Sequence, residues 1–389
     1  MAVLNRIVAF ANEMADWRRY LHQIPELGLE CHKTAEFVTT KLKEFGITQI
    51  ENCIAGTGLV AIIEGNLKSK KTIGLRADMD ALPINETTGR PWASKISGIM
   101  HACGHDGHTA MLLGAAKYLS ATKNFSGRVA LIFQPAEENF GGAKIMIEEG
   151  ILDRYDISEI YALHNVPGKG LGKFYTKYGP VMAGADIFHI DILGVGGHAA
   201  YPHQTRDPIT PAISVAQALQ TIVTQNTEPT KNLVLSVTQI HSGRVDNIIS
   251  DTAYLNGTVR LFDKEIRTTV KRRMKEILEG HSLSFGVEAS LTYEEGYPPT
   301  VNDFEKTDFA LSVARDLVGE NNVSDLADLE MGAEDFSYML EKKPGSYMFL
   351  GIGDAATLHN PNYDFNDEAA PFGASFFAGL VEKGLPIDV

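Results

Sequence analysis

TIGLRADMDALPI, Thr72 to Ile84, is the stretch from which the fold can be read. Its first half is a short apolar run bounded by Lys and Gly, which reads as a buried strand, and it leads straight into Asp78 and Asp80. The same grammar recurs along the chain. RVALIF from Arg128 leads into Gln134, Pro135, Glu137 and Glu138, EIYAL from Glu159 leads into His164, and SYMFLGIG from Ser346 is followed by LHNPNYDFND with His359. In an open α/β sheet, ligands bind beyond the carboxyl ends of the strands, so these distant segments are expected to face one cleft.

A fifth segment, HACGHDGHTA from His101, packs three histidines, a cysteine and an aspartate between glycines. Cys103 and His105 stand two apart, which aims two side chains the same way in extended backbone, whereas a helix needs three or four. The ligand-bearing part therefore reads as a loop, followed by a buried-face helix through MLLGAAKYLSA. Nearer the N-terminus, Val8, Phe10, Ala11, Met14, Trp17 and Leu21 fit one helical face that Pro25 ends, and Thr34 to Phe45 reads as a second helix.

From about Ala185 to about Gly296 the pattern changes to strand, helix, strand, strand, helix, strand. Asp207-Pro208 opens the first of those helices, and the second follows Asp263 with Ile266, Val270, Met274, Ile277 and Leu278 on one face. A βαββαβ order suggests a ferredoxin-like module inserted into a larger domain. The expected fold class is therefore α/β in two domains. A discontinuous domain with a central mixed sheet takes residues 1–184 and 297–389, and the insert takes residues 185–296.

The 389 residues exceed what one core usually serves. A formal charge of -14, from 49 acidic against 35 basic side chains, disfavours nucleic acid and anionic lipid as partners. With no apolar run long enough to span a bilayer and no signal-peptide core near the start, a cytoplasmic location is expected. Three scattered cysteines, Cys31, Cys53 and Cys103, make no disulfide framework, so reduced thiols are expected and Cys103 could serve as a thiolate ligand.

Taken singly, these candidates have bland readings. Glu137-Glu138 could be a solvated loop, and His164 or His359 a histidine satisfied by backbone bonds. Together, Cys103, His105, Glu138, His164 and His359 offer five S, N and O ligands, enough for two metal ions that share a ligand and leave a position for water. Hydrolysis at such a centre needs one carboxylate on the metal and a second to take a proton, tasks that adjacent glutamates can divide.

The runs HQIPELGLE, GLRADMDALPI, HACGHDGHTAML, QPAEEN, GGAKIMIEEG, LHNVP, GVGGHAAYPH, NIIS, GTVR, MGAEDFSYM and LHNPNYDFND, in this order over nearly the whole chain, resemble the M20 metallopeptidase family. Within it they resemble the amidohydrolase branch of hippurate hydrolases, N-acyl-amino acid amidohydrolases and indole-acetyl-amino acid hydrolases. The resemblance implies a catalytic domain and a smaller lid domain that often dimerises, hence a homodimer or higher homo-oligomer. It places the metal ligands on Cys103, His105, Glu138, His164 and His359, the general base on Glu137, and the aspartate supporting the metals on Asp80. His198 falls on the group that stabilises the oxyanion, and Asn247 and Arg260 on positions associated with the substrate carboxylate. The wider family has a histidine ligand where Asp78 stands here, while this branch supplies Cys103. Two divalent ions per subunit are implied: thiolate favours zinc, and the imidazole and carboxylate ligands also admit manganese, cobalt or nickel.

The expected activity is metal-dependent hydrolysis of a small N-acyl amino acid to a carboxylic acid and a free amino acid. Two alternatives keep the same site: deacetylation of N-acetyl-diaminopimelate or another acetylated amino acid, and dipeptide cleavage. A third is a metal- or ligand-binding protein without turnover. Around the ligand loop, His101, Asp106 and His108 read either as groups that orient ligands or as packing, Glu334 as either a support or a helix cap, and His22 and Glu26 as organisers of an early turn.

Overall fold

The computed structural model describes residues 4–387. The chain forms two compact units, one of Met1–Val181, Val301–Asp328 and Asp335–Val389, the other of Met182–Thr300 with Leu329–Glu334.

The larger unit is built on an eight-stranded mixed sheet. Its middle consists of four parallel strands in the order Ser126–Gln134, Leu67–Asp78, Ile157–Val166 and Gly345–Gly351. Gly58–Glu64 and then Ile50–Ile54 add antiparallel to one side, while the short strands Phe174–Tyr175 and Val323–Ser324 complete the other. The middle strands read as near-continuous apolar runs because helices cover the sheet, as parallel sheets require. The helix His105–Thr122 packs against Ala11–Gln23 and Ala370–Gly384, and Met111, Leu112, Ala115, Ala116 and Leu119 join Met14, Leu131, Phe376 and Leu380 in one core.

The early helical face differs from its reading. Two helices, Asn5–Val8 and Ala11–Gln23, replace a continuous one, with Phe10 outside helical geometry between them. Ile7 enters the core while Val8 remains 49% exposed, so an apolar position counted toward the face belongs to solvent. The following helix spans His32–Glu44, with its first turn held by Glu26, whose carboxylate accepts from the N–H groups of Lys33 and Thr34 at 3.1 and 3.0 Å.

The smaller unit has strands Gly184–Leu193, Leu233–Ser242, Thr252–Leu261 and Glu288–Glu295, with helices Ile209–Gln225 and Lys264–Phe285. Its sheet order puts the second strand beside the third, then the first, then the fourth, every neighbour antiparallel, which is the ferredoxin-like arrangement. Asp207 accepts the N–H groups of Ile209 and Thr210, and Asp263 that of Glu265, so both helices begin at an aspartate. Phe188, Ile190, Leu255 and Val259 face Val215, Leu219, Val270 and Met274 in a core of the unit's own. Buried Asp186 takes a bidentate pair from Arg267 at 2.8 Å each, together with the Tyr293 hydroxyl and the Gly296 N–H. No helix among the described residues is long and apolar enough to cross a membrane.

Candidate metal centre

The parallel strands of the larger unit bring their carboxyl ends to one edge of the sheet, and the chemistry collects there. Asp78 closes one strand, with Asp80 just beyond it. Glu137 and Glu138 follow Gln134, the last residue of the next, and His164 lies in the final turns of a third, opposite Phe349. His359 arrives after the fourth strand through a backbone with φ of 60°, fixed by its N–H to the Ala102 carbonyl at 2.8 Å.

The ligand loop is shorter than its sequence suggests. Cys103 lies in irregular backbone, but His105 is the first residue of the helix His105–Thr122. The residue between them is the reason. Gly104 has φ of 90°, and a Cβ there would fall 2.1 Å from Asn165 Oδ1 and 2.6 Å from the Tyr363 hydroxyl. The chain can therefore turn sharply into the helix while keeping Cys103 and His105 on one side.

Cys103 Sγ stands 3.4 Å from His164 Nε2, and Glu138 Oε1 stands 3.3 Å from His359 Nε2 and 3.9 Å from His105 Nε2. Two ligand atoms on one tetrahedral zinc, at about 2.0–2.3 Å each, stand roughly 3.3–3.6 Å apart, so the shorter separations match shared coordination. The ligand atoms of Cys103, His105 and His164 lie within 4.8 Å of one another, and so do those of Cys103, Glu138 and His359. The two sets meet at Cys103. Each of the two buried imidazoles is tied back through Nδ1, His105 to the Asp80 carbonyl and His164 to the Asn165 carbonyl, both at 2.8 Å, which leaves Nε2 for a metal. His105 Nε2 and Glu138 Oε1 are buried without a hydrogen-bond partner among the described residues. Buried polar atoms are normally paired, so these two fit a cation that supplies the missing interaction.

Electrostatics agree. Burial pushes the Cys103 thiol well up, and the negative charges of Glu138, Glu137 and Asp78 push it further. Burial would lower His105, yet Asp78, Asp80 and Glu138 raise it to about 10. For His164 burial dominates, with the neighbouring His108 and His105 rings acting in the same direction, and the ring is held well below its usual range. Carboxylates that hold protons on both a thiol and an imidazole mark an excess of negative charge around those two groups.

Asp80 organises the glutamates rather than facing outward. Its two carboxylate oxygens accept the backbone N–H groups of Glu137 and Glu138 at 3.0 and 3.1 Å. Glu137 is 6% exposed, and its Oε1 is 3.4 Å from the Asp335 backbone nitrogen. Ala136 takes φ of 58° just before the pair, a local strain that a rigid surrounding must hold.

His198, Asn247 and Arg260 belong to the smaller unit. His198 and Asn247 meet on a small ribbon, where His198 pairs with Ile248 and the Ala199 N–H donates to the Asn247 carbonyl at 3.0 Å. His198 is exposed, and its Nδ1 accepts the Ala200 N–H at 3.1 Å, so the neutral ring carries its proton on Nε2. Arg260 lies on the strand Thr252–Leu261, where its guanidinium reaches the Thr258 hydroxyl and the Val259 carbonyl.

The remaining loop residues divide. Asp106 pairs with His22 at 2.7 Å, and that carboxylate with Glu86 raises His22 to about 9 against the opposing effect of burial. Asp106 therefore anchors the N-terminal helix and does not hold a ligand imidazole. His101 is buried with neither ring nitrogen hydrogen-bonded among the described residues, and burial lowers it to about 4. Sequence reasoning passed over Arg76 and Asp335. Arg76 is 2% exposed and donates to Gln134 at 2.8 Å, Asp78 at 2.6 Å and Asp335 at 2.9 Å, while Asp335 also takes the Gln134 amide and the Ala143 N–H. The available signal was a lone arginine inside an otherwise apolar strand, a residue almost never fully buried unless paired.

The family model described as "Peptidase family M20/M25/M40" matches residues 74–383. The chain belongs to this family. Among M20 relatives, hippurate hydrolase of Campylobacter jejuni is 41% identical over 386 residues, covering 99% of this chain and 100% of that protein. N-acetyl-L-cysteine deacetylase of Bacillus subtilis is 44% identical over 361 residues, covering 92% and 85%. A crystal structure from Bacillus subtilis described as a dinuclear metal binding peptidase from the M20 family superposes with a TM-score of 0.86 at 34% identity, covering 97% and 99%.

Proposed function

We propose that this M20 chain is a metal-dependent amidohydrolase that cleaves the amide of N-acyl amino acids, releasing a carboxylic acid and a free amino acid. The observation that carries the reading is the division of labour at Glu137 and Glu138. Glu138 shares a ligand set with Cys103 and His359, while its neighbour offers a second, 6% exposed carboxylate whose backbone is fixed by Asp80. A binding protein needs no such spare carboxylate. The relatives named hippurate hydrolase and N-acetyl-L-cysteine deacetylase support an acylated amino acid as substrate.

Cys103, His105, Glu138, His164 and His359 would hold two divalent ions, with zinc favoured by the thiolate and manganese, cobalt or nickel admitted by the other ligands. Such ions supply Lewis acidity that polarises the amide carbonyl and makes a water easier to deprotonate. Glu137 takes the proton of the attacking water as the C–O bond forms, then returns a proton to the amine nitrogen as the C–N bond breaks. His198, with its proton on Nε2, is suited to donate to the carbonyl oxygen as negative charge builds there. Arg260 offers a planar fork for the substrate carboxylate and Asn247 an amide beside it. The smaller unit would serve as lid and dimerisation surface, and the protein would work in the cytoplasm.

The test is a substrate panel on protein stripped of metal and reloaded with one metal at a time. N-benzoyl-glycine should be hydrolysed faster than N-acetyl amino acids, N-acetyl-diaminopimelate among them, and faster than dipeptides. Glu137→Gln should retain its metal and lose about 10²–10⁴-fold in rate. Near wild-type turnover in that variant would remove Glu137 from the mechanism.

A further inference from the structure

A continuous run of buried polar groups lies beneath the ligand ring of His164, and none of the steps above uses it. Arg76 donates from Nη1 to Asp78 Oδ2 at 2.6 Å. Asp78 Oδ1 is 2.6 Å from His108 Nδ1, and His108 Nε2 is 2.6 Å from Asn165 Oδ1 and 3.1 Å from the Asn165 backbone nitrogen. The Asn165 amide then donates to the Tyr363 hydroxyl at 2.8 Å. Asn165 is the residue whose carbonyl accepts the Nδ1–H of His164 at 2.8 Å. His108 also touches that ring directly, centroid to centroid at 4.5 Å with the planes 65° apart.

Asp78, His105 and His108 have ligand atoms within 4.8 Å of one another, so a metal role for Asp78 and His108 must be weighed first. Both oxygens of Asp78 and both nitrogens of His108 already face partners at 2.6 Å. The His108 ring thus has no nitrogen left over for an ion, and each Asp78 oxygen is already engaged by a close donor. His164 differs, since one nitrogen is tied and Nε2 faces Cys103 Sγ at 3.4 Å. The orientation of Nε2 then depends on the Asn165 carbonyl, which depends on His108 Nε2 holding Asn165, by donating to its side-chain oxygen in one protonation state or by accepting its backbone N–H in the other. His108 in turn is held by an aspartate that a buried arginine fixes. Groups behind a metal ligand commonly set its direction.

We propose that His108, clamped by Asp78 and Arg76, is the positioning residue that aims His164 at the metal. The proposal rests on His164 being a ligand. It gives Asp78 a task in a chain where the thiolate of Cys103 completes the ligand set.

The two ring nitrogens can be tested separately. In His108→Asn the amide sits near the position of Nδ1, so it can keep Asp78 but not reach Asn165. In His108→Gln the amide sits near the position of Nε2 and can still hold Asn165. Zinc dissociation constants by chelator competition, the absorption spectrum of the cobalt(II)-loaded protein and thermal melting of the metal-free protein are measured for both, beside His164→Ala. The expected result is a weakening of zinc binding by about 10–100-fold in His108→Asn, with altered cobalt–thiolate absorption. His108→Gln, which keeps Asn165 but gives up the Asp78 contact, should lose clearly less affinity than His108→Asn, and the metal-free melting temperatures of the two variants should agree. Wild-type affinity and spectrum in both variants would overturn the proposal, as would equal losses in both. Unchanged metal binding in His164→Ala would instead show that the ligand assignment beneath it is wrong.

Discussion

Cys103 and His105 must each give up a proton before they can hold a cation. In the metal-free protein, burial and then the surrounding carboxylates keep the Cys103 thiol protonated, and those carboxylates hold His105 at about 10 despite burial. Both are therefore protonated at neutral pH, and zinc has to displace those protons. Affinity should rise with pH between about 6 and 9, because each displaced proton contributes on the order of tenfold per pH unit. Calorimetry in buffers of different ionisation enthalpy should show protons released on zinc binding, with one fewer in Cys103→Ser and weaker binding. Equal proton release and affinity in that variant would remove the thiolate from the site. At this scale much of the site was legible, since the ligand types stand at the ends of apolar runs. What the sequence could not display was the full set of partners that holds Arg76 inward, because Asp78 stands two residues on but Asp335 lies far away in the chain. Nor could it display that Asp80 spends its carboxylate on the two glutamate N–H groups.

The helix His105–Thr122 shows how an element can hide its own start. No side chain caps it; Gly104 precedes it in left-handed geometry, so the usual Ser, Thr, Asp or Asn signal is missing and the ligand segment reads as loop. Its apolar face was legible because packing repeats every turn. Its glycines reveal how closely it docks. A Cβ on Gly107 would meet the Phe365 ring at 2.4 Å, while one on Gly114 would meet the terminal methyl of Met14 at 2.6 Å. An aromatic ring in a packed core has nowhere to turn, whereas the end of a methionine can swing aside. Both changes gain about 0.5–1 kcal/mol of helix preference. Overpacking costs about 1–3 kcal/mol where the neighbour is rigid. Gly107→Ala should therefore lower stability in chemical denaturation and loosen the adjoining ligand segment, while Gly114→Ala should cost less, since Met14 can swing aside and the other close atom, the Ala374 Cβ at 2.9 Å, needs only a small shift. The reverse ranking would mean that Phe365 is the more mobile neighbour.

At the scale of the whole molecule, each unit has its own hydrophobic core, and the candidate ligands all lie in the larger one. The alternation between strand-plus-chemistry and the βαββαβ insert was visible along the chain because each unit keeps a different period and composition. The energetic consequence is a division of dependence. A ligand that binds only the folded state stabilises it by RT ln(1 + [L]/Kd), about 4 kcal/mol at a thousandfold excess over Kd, and that stabilisation goes to the segments that close around it. Removal of metal should take a common cross-link from the segments that carry the proposed ligands, 101–109, 135–141, 164 and 359. The sheet of the smaller unit depends instead on Phe188, Leu255 and Val259 and on the Asp186–Arg267 pair, none of which involves the metal. Hydrogen exchange followed by mass spectrometry, with and without chelator, should therefore show faster exchange at those segments of the larger unit and unchanged protection in Gly184–Leu193 and Thr252–Leu261. Equal loss in both units would mean that metal binding stabilises the chain as one cooperative body, so that the separate cores do not unfold separately.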